Sequence, residues 1–162
     1  MSKIRLSILL LISFFISSCT NHQNNHSNQK YSLSYVRGEY DGLLLKNYLI
    51  SSLKNLDIHD EDSNFEIKAD VSHSSILYIT NIDNTSDREK INTQLTIQIL
   101  DKSSNCEVFR NEIHVSQFYI YASSDRFLSN QEAVKKIKRD NTKSTVRKFI
   151  NKLKNIDNKC DE

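Results

Sequence analysis

The sequence predicts an α+β domain: a mostly antiparallel sheet of four to five strands with two helices packed on one face, in the order strand, helix, strands, helix. Three observations carry this expectation. Apolar and polar residues alternate at a period of two over residues 65–72, 91–99 and 107–120, the pattern of strands covered on one side only. Leu45, Leu49, Leu53 and Leu56 recur at helical spacing and form one apolar stripe. Near the C-terminus, Ser129-Asn130-Gln131-Glu132 fits a capping box, the serine hydroxyl taking the amide of Glu132 while the glutamate reaches back, so a long helix is expected from Asn130.

Ahead of the domain lies a segment with the build of an export signal. Lys3 and Arg5 precede an apolar run over residues 6–16, and the small residues Ser17 and Ser18 lead into Cys19. The run is about half of the ~20 residues that a helix needs to cross a bilayer, which disfavours a membrane span. Ile16-Ser17-Ser18-Cys19 resembles the lipobox of bacterial lipoproteins. That resemblance implies removal of residues 1–18, lipid on Cys19 and attachment to a membrane through the acyl chains. The alternatives are an uncleaved anchor, or a plain signal with an incidental cysteine. Residues 20–30 hold no apolar side chain and read as a solvated tether. The chain thus divides into signal peptide 1–18, lipidated N-terminus and tether 19–30, domain 31–156 and tail 157–162. His22 and His26 stand four apart, but without a third ligand nearby they read as part of the polar tether.

The 162-residue chain, less its signal, has the length of one domain with a core. Its 22 basic and 20 acidic residues come into balance once Lys3 and Arg5 are set aside. Residues 129–162 hold ten basic against five acidic side chains, so a basic C-terminal third follows an acidic front. A nucleic-acid binder would be basic throughout, and export argues against the same class. With no proline and two glycines, turns must come from Asn, Asp and Ser. Cys106 and Cys160 could bridge in an oxidising compartment, yet nothing in the sequence brings them together, and two unpaired thiols are expected.

Taken in order, residues 31–36 alternate with Tyr31, Leu33 and Tyr35 on one side, a first strand. Gly38 and Gly42 bracket a turn, and Asp41 is placed to cap a helix over residues 42–56. The acidic link that follows sets Asp60, Asp62 and Asn64 at the first, third and fifth positions of a calcium loop. Phe65 and Val71 then occupy the positions of the required glycine and glutamate, so the link is a polar turn and not a metal site. Residues 65–72 form a half-buried strand, and residues 76–82 a second β-prone run beyond a bend or bulge at Ser72-His73-Ser74-Ser75. Residues 83–90 read as a hairpin turn with Arg88 and Lys90 at its exit. Ile91, Thr93, Leu95, Ile97 and Ile99 then face one way, and the return strand turns Phe109, Ile113, Val115 and Tyr119 inward. Residues 121–128 are a loop carrying aromatic side chains. The final helix takes its apolar side from Ala133, Ile137, Val146, Phe149, Ile150, Leu153 and Ile156. Its middle, residues 138–145, is polar all round and should either kink or rest on a small-residue stretch of the sheet.

Catalytic patterns are missing: there is no phosphate-binding glycine loop, HExxH, CxxC or nucleophile elbow. His114, with Glu112 two residues before it and Ser116 two after, is read as a surface histidine on the wet side of its strand. The residues left to carry function are the basic pair Arg88 and Lys90, the alternating Leu95–Leu100, the return strand ending QFYIYA over residues 117–122, and the final helix with Glu132-Ala133 near its start and Phe149–Leu153 near its end. With the lipobox and the element order, these make residues 31–156 resemble the LptE family of outer-membrane lipoproteins of lipopolysaccharide assembly. The resemblance implies a non-enzymatic α/β domain, without cofactor or metal, that plugs the lumen of an LptD-like β-barrel and helps lipopolysaccharide reach the outer leaflet. It also implies an outer-membrane location facing the periplasm, consistent with Thr20 in place of an aspartate after the lipidated Cys19. By the same resemblance Arg88 and Lys90 are the candidates for lipopolysaccharide phosphates, while Asn130 and Gln131 stand where a second basic site is looked for. The alternatives are a generic envelope lipoprotein, or an auxiliary of lipid transport that binds lipid without a barrel partner.

Overall fold

The structure is a computed structural model and describes residues 29–38, 40–79, 87–120 and 127–156. The signal, Cys19, most of the tether, the hairpin connection at 80–86, the loop at 121–126, Cys160 and the tail all lie outside the described residues.

Four strands and two helices follow the expected order: β1 (Tyr31–Arg37), α1 (Tyr40–Asn55), β2 (Phe65–Ile79), β3 (Asp87–Asp101), β4 (Cys106–Ile120) and α2 (Phe127–Leu153). The sheet runs β1-β2-β3-β4. β1 is parallel to β2, and the other two pairings are antiparallel. A parallel pair needs a crossover, which α1 and the link after it supply. α1 packs on β1 and β2, and α2 packs on β3, β4 and α1, so both helices share one face.

β3 lies at the centre. Ile91, Thr93, Leu95, Ile97 and Ile99 are all buried, and the α1 stripe, through Leu45, Leu49 and Leu53, buries on the same core as Val146, Phe149 and Leu153 of α2. Each such side chain contributes about 1.5–3 kcal/mol by leaving water.

Several expectations are corrected. β2 is one continuous strand, its residues from Phe65 to Ile79 paired in register with Asp101 to Asp87, so there is no bend at Ser72-His73-Ser74-Ser75 and the sheet has four strands among the described residues. A hydrogen-bonded pair explains this: His73 Nδ1 meets Thr93 Oγ1 across the ladder at 2.8 Å, so polar residues hold the inner face where sequence offers no apolar ones. The irregularities fall elsewhere. Pairing slips at Ser34 between Leu33 and Tyr35, which turns Val36 to the core and leaves Tyr35 outside. A second slip sets Val108 between the partners of Ile99 and Leu100.

Both helices begin earlier than expected. Asp41 sits in the first turn of α1, where its charge favours the helix N-terminus without capping it. α2 opens at Phe127, which puts Ser129 inside the helix and removes the capping box. Asn130 is buried instead, and its Oδ1 accepts from the Tyr119 hydroxyl of β4. The polar middle of α2 stays within one continuous helix and faces water on one side only, through Arg139, Asp140 and Lys143. Asn141, Thr142 and Thr145 are fully buried there. Asn141 donates to the Ile91 carbonyl at 3.3 Å, Thr142 to that of Lys138 at 2.9 Å and Thr145 to that of Thr142 at 2.8 Å.

Cys106 is disulfide-bonded, which overturns the expectation of an unpaired thiol at that position, and its partner falls outside the described residues. Spacing along a chain says little about distance in a fold. The acidic link closes into a turn, with the Asp62 amide donating to Asp60 Oδ1 at 3.1 Å. It also clamps the entry to the domain. The Tyr31 amide donates to the Ile58 carbonyl at 2.8 Å, and the Asp60 amide to the Tyr31 carbonyl at 3.0 Å. The Ser63 hydroxyl donates to the Lys30 carbonyl. Gly42 is required where α1 crosses the end of β1, because a Cβ there would stand 2.8 Å from the Arg37 carbonyl oxygen.

Phe149 joins the two layers, wholly buried with its ring centroid 6.3 Å from that of Phe109. Phe149→Ala should cost about 3–5 kcal/mol in urea unfolding, and a loss below about 1 kcal/mol would place the ring outside the core.

Candidate functional site

Beyond the reach of the helices, the sheet carries a patch built by strand register. Ile76, Lys90 and Phe118 stand side by side on β2, β3 and β4, and Tyr78, Arg88 and Ile120 form the next row. Because residues of β3 alternate between faces and Ile91 and Thr93 point to the helices, Arg88 and Lys90 point to the open face. The four flanking apolar side chains are between 41% and 62% exposed. Tyr78 and Phe118 rings lie 5.9 Å apart at 56°, and Lys90 Nζ stands 5.9 Å from the Phe118 ring centroid, a cation–π distance.

Arg88 and Lys90 therefore belong to a strand and not to the turn where sequence reasoning put them. Neither forms an ion pair with a described residue. What sequence could not provide was their company. Ile76, Tyr78, Phe118 and Ile120 come from two other strands, and only the register brings them to β3.

Below this patch the open face is polar. Asn92, Gln94 and Thr96 of β3 pair with Ser74, Ser72 and Asp70 of β2 on one side and with Ser116, His114 and Glu112 of β4 on the other. His114 is 66% exposed and its Nε2 lies 3.8 Å from an equally open Glu112 carboxylate. Such a pair has none of the burial that orients a catalytic histidine. Among the described residues no group of three or more His, Cys, Asp or Glu is placed to hold a metal. An apolar pocket lined by Tyr31, Leu56, Ile58, Ile150 and Leu153 has a volume of 110 Å³, below the ~300–1,000 Å³ of pockets that enclose small ligands. No described helix is long and apolar enough to cross a membrane.

One titratable group escaped the sequence reading. The His73 side chain is 5% exposed, with Nε2 3.7 Å from Asp41 Oδ2 at the start of α1. Burial lowers its pKa, with the Asp41 charge opposing and the Lys138 charge reinforcing the shift. The unfolded chain, with an imidazole pKa of about 6.5, binds the proton more readily, so stability is complete above that value and falls as pH drops through it toward the lowered native pKa. His73→Gln should flatten the loss of thermal stability between pH 7.5 and 5.5. An unchanged slope would remove His73 from the acid response.

The fold is that of a strand-helix-meander-helix sandwich open on one sheet face. No protein-family model and no curated protein matches the chain by sequence. Among solved structures, the fold is similar to a minor lipoprotein from Acinetobacter baumannii at 15% identity and a TM-score of 0.59, covering 79% of this chain and 92% of that one. It is also similar to the rare lipoprotein B from Shewanella oneidensis at 12% identity, with a TM-score of 0.56 and coverage of 78% and 98%. A lipoprotein B from Nitrosomonas europaea matches at 14% identity and 0.56, covering 78% and 82%.

Proposed function

We propose that the chain is a non-enzymatic outer-membrane lipoprotein, anchored by lipid on Cys19 and facing the periplasm, that plugs an LptD-like β-barrel and assists lipopolysaccharide transport. The observation that carries this reading is the patch on the open face: two cations, Arg88 and Lys90, between two apolar flanks. Lipopolysaccharide joins phosphates to acyl chains, and both halves find a counterpart there. Guanidinium and ammonium groups bind phosphate through charge-assisted hydrogen bonds, while Ile76, Tyr78, Phe118 and Ile120 offer apolar contact. The polar remainder of that face suits the lumen of a barrel, whose interior is polar. The fold shared with solved lipoproteins lends further support.

Purification from outer membranes through a C-terminal tag should recover a large β-barrel, and lipid recovered with the protein but without a barrel would favour the lipid-transport auxiliary instead. Replacing Arg88 and Lys90 with Glu should weaken lipopolysaccharide binding about tenfold or more, since each charged contact is worth roughly 1.5–3 kcal/mol. Binding unchanged by the double reversal would overturn the assignment of the patch.

A further inference from the structure

β1 ends at Arg37, opposite Asp70 of β2, while β2 continues to Ile79. Over residues 72–79, then, β2 is paired with β3 on one side and with no described strand on the other. Ser72 and residues 74–78 are all exposed, on both faces, because the helices stop short of this end. The other free edges are guarded over part of their length. The start of β1 is covered by the link at Ile58 and Asp60. β4 carries Glu107, Arg110 and Glu112, and Lys148 of α2 donates to its His114 carbonyl at 3.3 Å. The free stretch of β2 reads SHSSILYI and has no Lys, Arg, Asp or Glu, the residues that usually keep a strand edge from pairing. Its one histidine, His73, has its side chain buried toward the helices.

We propose that β2 pairs antiparallel with β2 of a second copy over residues 72–78, Ser75 facing Ser75 across a two-fold axis, so that the sheet of the dimer runs unbroken from β4 of one copy to β4 of the other. Three features favour this occupant. The segment is uncharged, so two copies approach without repulsion. Its two ends are complementary in size: antiparallel alignment about Ser75 sets Ile76 and Tyr78 of each copy against the serines Ser74 and Ser72 of the other. The step beyond β1 is about 26 Å long at ~3.3 Å per residue, and each copy fills it for its partner. A two-fold contact of this kind uses the free stretch of both copies, so assembly stops at two. The pairing needs neither lipopolysaccharide nor a barrel, and it stands or falls separately from the function proposed above.

The test is sedimentation velocity on the mature lipidated protein in detergent across the micromolar range, which should show a monomer passing to a dimer. Ile76→Lys and Ser74→Lys, both at exposed positions, should raise the concentration needed by about tenfold or more, because the two-fold axis brings each new charge close to its copy. Thr96→Lys, which adds the same charge on the central strand away from the edge, should leave the transition in place, and circular dichroism would confirm that all three variants fold. A photo-crosslinking residue in place of Tyr78 should give an adduct of twice the chain mass. A wild-type protein that stays monomeric at every concentration, lysine variants that dimerise like wild type, or a Tyr78 adduct only with a different polypeptide would each overturn the proposal.

Discussion

The constraint on which the rest depends is the alternation along β3. Five inward side chains, from Ile91 to Ile99 at every second position, are at most 1% exposed, and the strand is paired on both sides. At a period of two, a slip of one residue would send all five into water and bring Asn92, Gln94, Thr96 and Gln98 into the core. At about 1.5–3 kcal/mol for each of the four apolar side chains, such a slip costs about 6–12 kcal/mol, as much as the 5–15 kcal/mol that typically holds a domain together. The register of β3 is thereby unique, and it sets where β2 and β4 lie, where the helices dock and which six side chains meet at the open end.

What could be read in advance was whatever a short window of sequence expresses. The β3 alternation and the leucine stripe of α1 are local patterns, and both elements appear where those patterns put them. The continuity of β2 was hidden because Ser72, Ser74 and Ser75 look like a turn, and only the long unbroken partner β3 makes a strand of them. The slip at Ser34 exchanges Tyr35 for Val36 on the core side, a choice made by the parallel neighbour and not by β1 itself. For the candidate site, Arg88 and Lys90 could be singled out as an isolated basic pair. Their apolar flanks, some 10 and 30 residues away in the chain, were beyond reach until the register was known.

The middle of α2 shows a different limit. A run of Asn, Thr, Lys and Ser reads as a surface, yet Asn141, Thr142 and Thr145 are fully buried. Their hydrogen bonds to backbone carbonyls answer most of what burial costs them, although Asn141 Oδ1 accepts none. A buried polar atom without a partner costs about 1–3 kcal/mol. Across from this layer lie His73 and Thr93, also polar and also buried, so a polar layer interrupts the apolar core between Leu95 and Ile91.

The clamp at the start of β1 determines how the domain takes load. Any tension arriving through the residues upstream of Gln29 reaches the fold at Lys30 and Tyr31. There the Lys30 carbonyl, both backbone groups of Tyr31 and the Ser32 hydroxyl are tied to the link between α1 and β2. Pulling along β1 must shear these bonds and the parallel ladder to β2 together instead of unzipping them one at a time. The seam at that end joins two elements far apart in the sequence, so a tug on the leading end grips the whole molecule.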